Sequence, residues 1–354
     1  MDFTVPSDVV ELAGLTRQVL EREVTPEVLA KAEGFDPGVW AWLSSAGVLS
    51  AALPASVGGD GLGLLGHCAV LREIGRTVAP APYLWSVAVA AAAIDRFGTP
   101  AQRRLWAAPA GRGEVVLTTA LGGEDPVSAF RTNSHWVLSG TLTSVNAAAR
   151  ADLILVPAGD AVFGVSPGDE GLFITPQQVV DGGGAAEVTL GGVRVTEELV
   201  FPGRAADWMY EHAVTGVCAQ QVGVLERALE LTADYARSRE AFGKPIGAFQ
   251  AVSQRLADAW INVEAARLTM WQAAWRLDVG LPADAEVAIA KFWAAEAGHH
   301  VAHAAVHVHG GVGIDVSYPV HRYFTAAKRL EFTLGGATAQ LRRLAAAPDT
   351  KGMA

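Results

Sequence analysis

The chain has 354 residues, of which 51% are apolar and 18% charged, and 27 Lys+Arg against 37 Asp+Glu give a formal net charge of −10. The apolar share excludes a disordered protein, and the length predicts two or three domains with a large buried core. The acidic balance argues against nucleic acid or an anionic membrane as the main partner, because both attract clustered Lys and Arg. The two cysteines, Cys68 and Cys218, favour a reducing cytoplasm over a disulfide framework.

The first third of the chain predicts helices, because its apolar residues recur at helical spacing. The predicted helices are Val9–Glu23, Val39–Ala46, Leu64–Arg76, Leu84–Phe97 and Gln102–Trp106. After Gly113 the chain changes to short β-rich runs separated by Gly, Pro, Asn and Asp, a spacing that favours a small antiparallel barrel or sandwich. The predicted strands are Val115–Thr119, Trp136–Val145, Leu153–Pro157, Ala161–Val165, Leu172–Thr175 and Val188–Val195.

Long helical segments return after Trp208, and their short connectors indicate a four-helix bundle. These predicted helices are Ala213–Arg239, Phe249–Val279, Asp284–Val308 and Thr338–Ala347. The predicted organisation is therefore an N-terminal all-α domain (1–113), a central β domain (114–207) and a C-terminal helical bundle (208–354).

The segment from Arg239 to Gln250 connects two of these helices through Gly243 and Pro245. It can be interpreted as an ordinary turn, with Arg239 capping carbonyls at the end of a helix. It can also be interpreted as a binding site, in which Arg239 pairs with a phosphate, Phe242 packs on a flat ring and Gln250 donates a hydrogen bond beside it. On the residues alone, the ordinary turn is favoured.

The same segment, followed by Leu256-Ala257-Asp258, resembles the acyl-CoA dehydrogenase family, and the resemblance extends over almost the whole chain. The other matching motifs are Gly58–Leu62, Glu73–Arg76 with Ala79-Pro80, Phe97–Gln102, His309–Gly313, Tyr318-Pro319, His321–Phe324 and Ala327-Lys328. The resemblance implies the family's helical, β and bundle domains, and an FAD enzyme that forms an α,β-double bond in an acyl-CoA thioester. In that chemistry a carboxylate removes the α-proton and the flavin accepts the β-hydrogen as hydride.

The carboxylate base of the family has no evident counterpart. Where the family places a Glu, this chain has Leu334, Gly335 or Gly336, and none of them can accept a proton. Glu331 lies about one helical turn too early and is interpreted as a surface or helix-capping residue. Other members place the base at the start of the first C-terminal helix, where Ala213 stands.

Glu211 lies two residues before that second position and is the candidate base. On a regular helix it would point to nearly the opposite face, unless the start of the helix is frayed. A plain alternative is an acid stabilised by the helix dipole.

The flavin contacts of the family are only partly matched. The β-domain segments Thr118–Asp125 and Leu142–Asn146 match its flavin-facing segments poorly. In the family the flavin lies between two subunits. One subunit supplies the β domain and the base, and the neighbouring subunit contacts the diphosphate and adenosine of the flavin. The resemblance assigns cofactor binding to Arg239, Phe242, Gln250, His307, Gly310, Gly311, Thr338 and Gln340.

This pattern resembles the smaller, base-less subunit of actinobacterial heteromeric acyl-CoA dehydrogenases of steroid catabolism. It implies a cytoplasmic subunit of an FAD-dependent acyl-CoA dehydrogenase, in an α2β2 complex with a catalytic homologue. The implied partners are an acyl-CoA, with a steroid-derived one as the candidate, and an electron-transfer acceptor protein, with neither nucleic acid nor membrane. Two alternatives stay open: a scaffold subunit that binds no cofactor, and a self-sufficient homo-oligomer that uses Glu211.

Histidines at positions 299, 303 and 307 share one face of a predicted helix, a spacing that can ligate metal. No cysteine accompanies them nearby in the sequence. Helix packing and nucleotide contacts are therefore favoured, and no metal is predicted.

Overall fold

The computed structural model describes residues 4–123, 126–202 and 204–346. It divides into two compact units: Met1–Leu71 with Ala79–Gly216, and Arg72–Val78 with Val217–Ala354.

The helical part of the first unit follows the amphipathic pattern of the sequence. Its α-helices are α1 Ser7–Glu23, α2 Pro26–Lys31, α3 Pro37–Ser45, α4 Val48–Ala51, α5 Gly63–Thr77, α6 Ala92–Phe97, α7 Pro100–Gln102 and α8 Ala108–Gly111. The buried, Ala-rich stretch Leu84–Ala91 is a π-helix that leads into α6. Local chemistry sets several helix starts: the Asp36 carboxylate accepts a hydrogen bond from Val39 N, and Thr99 and Gln102 form a reciprocal capping box.

The β part of this unit consists of two four-stranded sheets with the orders β1-β4-β5-β8 and β2-β3-β7-β6. The strands are β1 Leu117–Thr119, β2 Ser128–Arg131, β3 Trp136–Asn146, β4 Leu153–Ala158, β5 Ala161–Val165, β6 Leu172–Gln177, β7 Ala185–Val195 and β8 Val200–Pro202. Both sheets contribute to one apolar core, which contains Leu138 and Val188 from one and Ile154 and Phe163 from the other. Alternating burial along β7 explains this, because every second side chain faces the core.

The β part corrects the sequence prediction in two respects. Over the described residues the two sheets are open, so the sandwich alternative is right and the closed barrel is wrong. The arrangement is also not purely antiparallel, because β1 pairs with β4 in parallel. Strand β2 escaped prediction because it is short and three of its four residues are exposed, which leaves no alternating pattern.

The second unit is a helical bundle, as predicted. Its helices are α9 Ala205–Ser238 (which begins in the first unit), α10 Gln250–Asp278, α11 Asp284–His309, α12 Val320–Phe332 and α13 Ala337–Ala346. Glycines allow close approach within it: a Cβ on Gly75 would lie 2.1 Å from Gln220 O, and one on Gly223 would lie 1.9 Å from Arg72 O. Ion pairs flank this approach, including Arg72 Nε with Glu226 Oε2 at 2.8 Å.

Two of these helices differ from the prediction. Helix α9 begins at Ala205, well before the predicted Ala213, and the buried residues Ala205, Met209 and Ala213 continue its helical spacing back to that start. Helix α12 was not predicted as a helix, because the motif that covers it was considered only for its chemistry.

Candidate functional site

The Arg239–Gln250 segment forms a β-hairpin between α9 and α10. Strands β9 (Glu240–Ala241) and β10 (Lys244–Pro245) pair in antiparallel register. The two residues between them have positive φ, +52° at Phe242 and +76° at Gly243, as a type I′ turn requires. Glycine adopts this conformation freely, whereas an aromatic residue is strained in it. The interpretation of this segment as an ordinary turn, which the sequence favoured, does not account for the strain at Phe242.

The predicted binding side chains of the hairpin face solvent. The Phe242 ring is 96% exposed, and Arg239 and Gln250 are exposed as well. Within the described residues, the Arg239 guanidinium has no ion-pair partner. Arg237, two residues earlier, has its Nη1 2.7 Å from Asp234 Oδ1. The hairpin therefore presents an unpaired guanidinium and an exposed aromatic ring to solvent, the two kinds of group that bind a phosphate and a flat ring.

The end of α11 adjoins the base of this hairpin. Tyr235 O accepts a hydrogen bond from Arg239 N at 2.8 Å, and the Tyr235 ring stacks on His309 at 4.4 Å between centroids. Gly310 follows with φ +62° and ψ −140°, a conformation that only glycine adopts readily. The structure thus brings the hairpin and the Gly310-Gly311 turn together.

His307, Gly310 and Gly311 are all exposed. His309 is buried, and its Nδ1 lies 2.8 Å from Ala305 O, so that Nδ1 carries the hydrogen. Its buried Nε2 has no hydrogen-bond partner among the described residues.

The remaining two candidates, Thr338 and Gln340, contact a different part of the bundle. Thr338 is exposed, whereas Gln340 is 2% exposed. Gln340 Nε2 donates to Leu334 O at 3.1 Å and to Gly335 O at 3.4 Å. In this chain Gln340 therefore stabilises the loop between α12 and α13.

That loop contains Leu334, Gly335 and Gly336, the residues that the resemblance predicts at the position of the family's base. Leu334 has φ +57° and Gly335 has φ +96°. A Cβ on Gly335 would lie 3.1 Å from Gln340 Nε2, whereas a Cβ on Gly336 would have its nearest neighbour at 3.5 Å. Of the three, Gly336 is thus the position where a longer side chain fits without strain, and no carboxylate stands there.

Glu331 is not a surface or capping residue, which corrects that interpretation. It lies in the last turn of α12 and is 8% exposed. Its carboxylate accepts a hydrogen bond from Lys328 Nζ at 2.6 Å and lies 3.6 Å from His299 Nδ1. The burial of this face of α12 and the ion pair both depend on tertiary packing, so the sequence alone did not show them.

Lys291 is fully buried on α11, and sequence reasoning missed it. Its Nζ donates to Leu330 O at 3.1 Å and Glu331 O at 3.0 Å, the last carbonyls of α12. Burial lowers the pKa of Lys291 to about 8. A lysine within the Ala-rich run Val287–Ala297 was the available signal, because its neighbours at helical spacing are all apolar.

Glu211 lies inside α9 rather than at a frayed helix start. Its backbone carbonyl accepts a hydrogen bond from Thr215 Oγ1 at 2.8 Å, which shows regular helix on both sides. The neighbouring Ala213 has no exposed surface. The fraying that would turn Glu211 towards the position of Ala213 is absent from this part of the chain.

The first unit buries two histidines near that position. His212 stacks on Trp208 at 3.6 Å between ring centroids, and His67 Nδ1 lies 2.8 Å from the Tyr83 hydroxyl. Burial lowers the pKa of each imidazole to about 3, so both are neutral at physiological pH.

The β segments that the resemblance compares with the family's flavin contacts include two buried threonine hydroxyls, of Thr118 and Thr119. Thr118 Oγ1 donates to Asn146 O at 2.6 Å, whereas Thr119 Oγ1 is buried without a partner among the described residues. Glu124 and Asp125, which end the first of these segments, lie outside the described residues.

The histidines of α11 form no metal centre within the described residues. His299 and His303 lie 4.5 Å apart between ring centroids, and His303 also contacts Phe324. No helix in the described part of the chain combines the length and apolar character needed to cross a membrane.

Family models match both ends of the chain. The model "Acyl-CoA dehydrogenase, N-terminal domain" covers residues 7–114, and "Acyl-CoA dehydrogenase, C-terminal domain" covers residues 204–347. Acyl-CoA dehydrogenase FadE27 of Mycobacterium tuberculosis is 47% identical over 97% of this chain and 98% of its own.

Two solved structures share the fold. A chain of the ChsE4-ChsE5 complex from Mycobacterium tuberculosis superposes with a TM-score of 0.95, at 48% identity over 99% of this chain and all of that one. A chain of the Tcur3481-Tcur3483 steroid ACAD variant gives a TM-score of 0.92, at 37% identity over 97% of this chain and 98% of that one.

The chain belongs to the acyl-CoA dehydrogenase family, and the family prediction is confirmed. Members are FAD-dependent oxidoreductases. The exposed guanidinium, aromatic ring and amide of Arg239, Phe242 and Gln250 fit the diphosphate and adenosine of that cofactor. The loop at Leu334–Gly336 supplies no group that could act as the base.

Proposed function

We propose that this chain completes the flavin site of a homologous catalytic subunit and does not carry out proton abstraction itself. The observation that supports this is the hairpin, which presents an unpaired Arg239 and a 96% exposed, strained Phe242 to solvent. A strained aromatic ring that is almost fully exposed would be stabilised by a contact with a second molecule, which the isolated chain lacks. The loop from Leu334 to Gly336 meanwhile has no side chain that could accept a proton.

In this proposal each residue has a limited task. Arg239 pairs with a phosphate of FAD bound in the partner, Phe242 packs beside the adenosine, and Gln250 hydrogen-bonds from the first turn of α10. His307 and the exposed Gly310-Gly311 turn adjoin the same nucleotide end. FAD, when bound, accepts the β-hydrogen of the acyl chain as hydride, and the partner subunit supplies the base that removes the α-proton.

The assembly and substrate follow from the relatives by analogy. The solved relatives are described as a complex of two named chains and as a steroid ACAD. We extend this to an α2β2 complex that dehydrogenates a steroid-derived acyl-CoA and passes electrons to an acceptor protein. A cytoplasmic location belongs to the same proposal and agrees with two buried cysteines, Cys68 and Cys218, that are not joined in a disulfide.

The decisive experiment measures bound flavin in the complex co-expressed with the homologous catalytic chain. Arg239→Ala should lower flavin per complex by about tenfold or more, because a charge-assisted phosphate contact is lost. Arg237→Ala is the matched control, since Arg237 pairs with Asp234 and should leave flavin unchanged. Equal flavin in both variants would instead support a scaffold subunit.

The self-sufficient alternative is tested on the chain purified alone. Under our proposal it holds little FAD and has no turnover. Full flavin occupancy with turnover that Glu211→Gln abolishes would establish the alternative, because an amide cannot accept the proton.

A further inference from the structure

The register of the hairpin places two cations on one face. Lys244 pairs with Ala241, and Ile246 N donates to Arg239 O at 2.8 Å, so residues 239 and 246 form the next pair of the ladder. Side chains alternate between the faces of a strand, and cross-strand partners share a face. Arg239 and Lys244 therefore project from the same face as Ala241, and Glu240 projects from the other.

Lys244 is held in place without being neutralised. Its Nζ lies 4.4 Å from the centroid of the Phe249 ring, a cation–π contact that orients the ammonium but leaves its charge available. Among the described residues it has no carboxylate partner, and the Lys244 side chain is exposed. Phe249 in turn contacts Phe242 at 6.2 Å in an edge-to-face arrangement, so Lys244 and the exposed ring belong to one cluster.

The spacing of the two cations suits a diphosphate. Diagonal neighbours across an antiparallel pair have side chains roughly 7–8 Å apart, and the small Ala241 between them leaves room for a ligand. Each of two linked phosphates between these side chains could pair with one cation. One phosphate would pair with the planar guanidinium of Arg239 and the other with the ammonium of Lys244. A single cation would leave half of the diphosphate charge to solvent.

We propose that Lys244 is a second cofactor-binding cation, which pairs with one phosphate of the partner-bound FAD diphosphate while Arg239 pairs with the other. This inference rests on the proposed function, because the diphosphate belongs to a flavin held in the partner subunit. The competing interpretation is that Lys244 only packs on Phe249 and contributes no charge to binding.

The test uses the complex with the catalytic homologue, stripped of flavin and titrated with FAD while flavin fluorescence is followed. Lys244→Met, which keeps an apolar side chain against Phe249, should weaken FAD binding by about 3- to 10-fold and make it less sensitive to salt. Lys244→Arg should restore affinity to within about twofold, since charge is retained. Lys31→Met, an exposed lysine of α2, is the control for loss of one charge elsewhere.

The outcomes separate this inference from the proposed function. If Lys244→Met binds FAD like the unmodified complex while Arg239→Ala does not, Lys244 only packs, and the inference fails alone. If Lys244→Arg is as weak as Lys244→Met, charge is not what matters, and the inference again fails. If Arg239→Ala also binds normally, the proposed function itself fails. Gel filtration of each complex confirms that assembly is intact.

Discussion

Two strained residues, Phe242 and Leu334, mark regions of the bundle that have opposite characters. Both are bulky and have φ near +55°. Phe242 projects from a hairpin, is 96% exposed and contacts Phe249 edge to face. Leu334 lies in a loop whose carbonyls are held by the buried amide of Gln340 and which follows a helix end held by the buried ammonium of Lys291.

The proposed function accounts for this difference, because it assigns cofactor contacts to the hairpin and none to the loop. The hairpin keeps unpaired binding groups in solvent, where a second molecule can reach them. In the loop between α12 and α13, the carbonyl oxygens of Leu334 and Gly335 instead accept hydrogen bonds from Gln340 of the next helix. Strain at an open site is typical of a retained contact, whereas strain at a closed site is compensated by local hydrogen bonds.

The largest expected effect is the pH dependence of the free energy of unfolding that the buried Lys291 causes at the end of α12. Burial lowers the pKa of Lys291 to about 8, from 10.5 for an ordinary lysine. Between these pH values the unfolded chain binds a proton that the folded chain does not, so the free energy of unfolding rises with pH. The rise should reach about 3 kcal/mol by pH 10.5. Denaturant titrations from pH 7.5 to 10.5 measure it.

Lys291→Met supplies the control for that rise. Methionine fills the space without titrating, so the difference between the two proteins isolates Lys291. The same pH dependence in both would contradict the assignment of this titration to Lys291.

Gln340→Ala should destabilise the loop between α12 and α13 without changing FAD binding by the complex. Removal of the amide leaves the partly buried carbonyls of Leu334 and Gly335 without this donor and should lower the free energy of unfolding by about 1–2 kcal/mol. Flavin per complex should not change. Thr338→Ala, at an exposed position of the same helix, should alter stability by less than about 0.5 kcal/mol. Loss of flavin from Gln340→Ala at unchanged stability would instead make Gln340 a cofactor ligand.

The smallest effect compares the two strained residues directly. Phe242→Gly and Leu334→Gly each relieve a positive φ, which should stabilise the local turn by up to about 1 kcal/mol after the flexibility of glycine is counted. Only Phe242→Gly should weaken FAD binding in the complex. Hydrogen exchange at Ile246 N and Gly335 N reports each turn separately, since both donate to backbone carbonyls. Equal flavin affinity in the two variants would remove the distinction between the regions.

Much of the fold could be predicted from local patterns. Helical spacing located α10 and α11 to within a residue or two, and short continuous apolar runs located β4 and β5. The strand β2 was missed because it has no alternating pattern, and the first turns of α9 were missed although Ala205, Met209 and Ala213 lie at helical spacing. The division at residues 113 and 207 stays a prediction.

The candidate site was predicted less completely than the fold. Ordered motifs identified the family and the residues Arg239, Phe242 and Gln250, but their roles stay predictions. Which of the assigned residues lie together could not be read from spacing. Gln340 is buried where its amide donates a hydrogen bond to the adjacent loop, and Glu331 is buried where its carboxylate pairs with Lys328.

The sequence alone determined the family and the order of helical and β regions, because each depends on residue identity or on short-range periodicity, and it also predicts that the base is missing. Only the tertiary structure decided which polar groups are free. Whether a guanidinium, a lysine or an amide is paired depends on residues far away in the chain that folding brings within about 3 Å. Arg239 and Lys244 remain available because their hairpin extends into solvent, and Lys291 and Gln340 do not because the bundle closes around them.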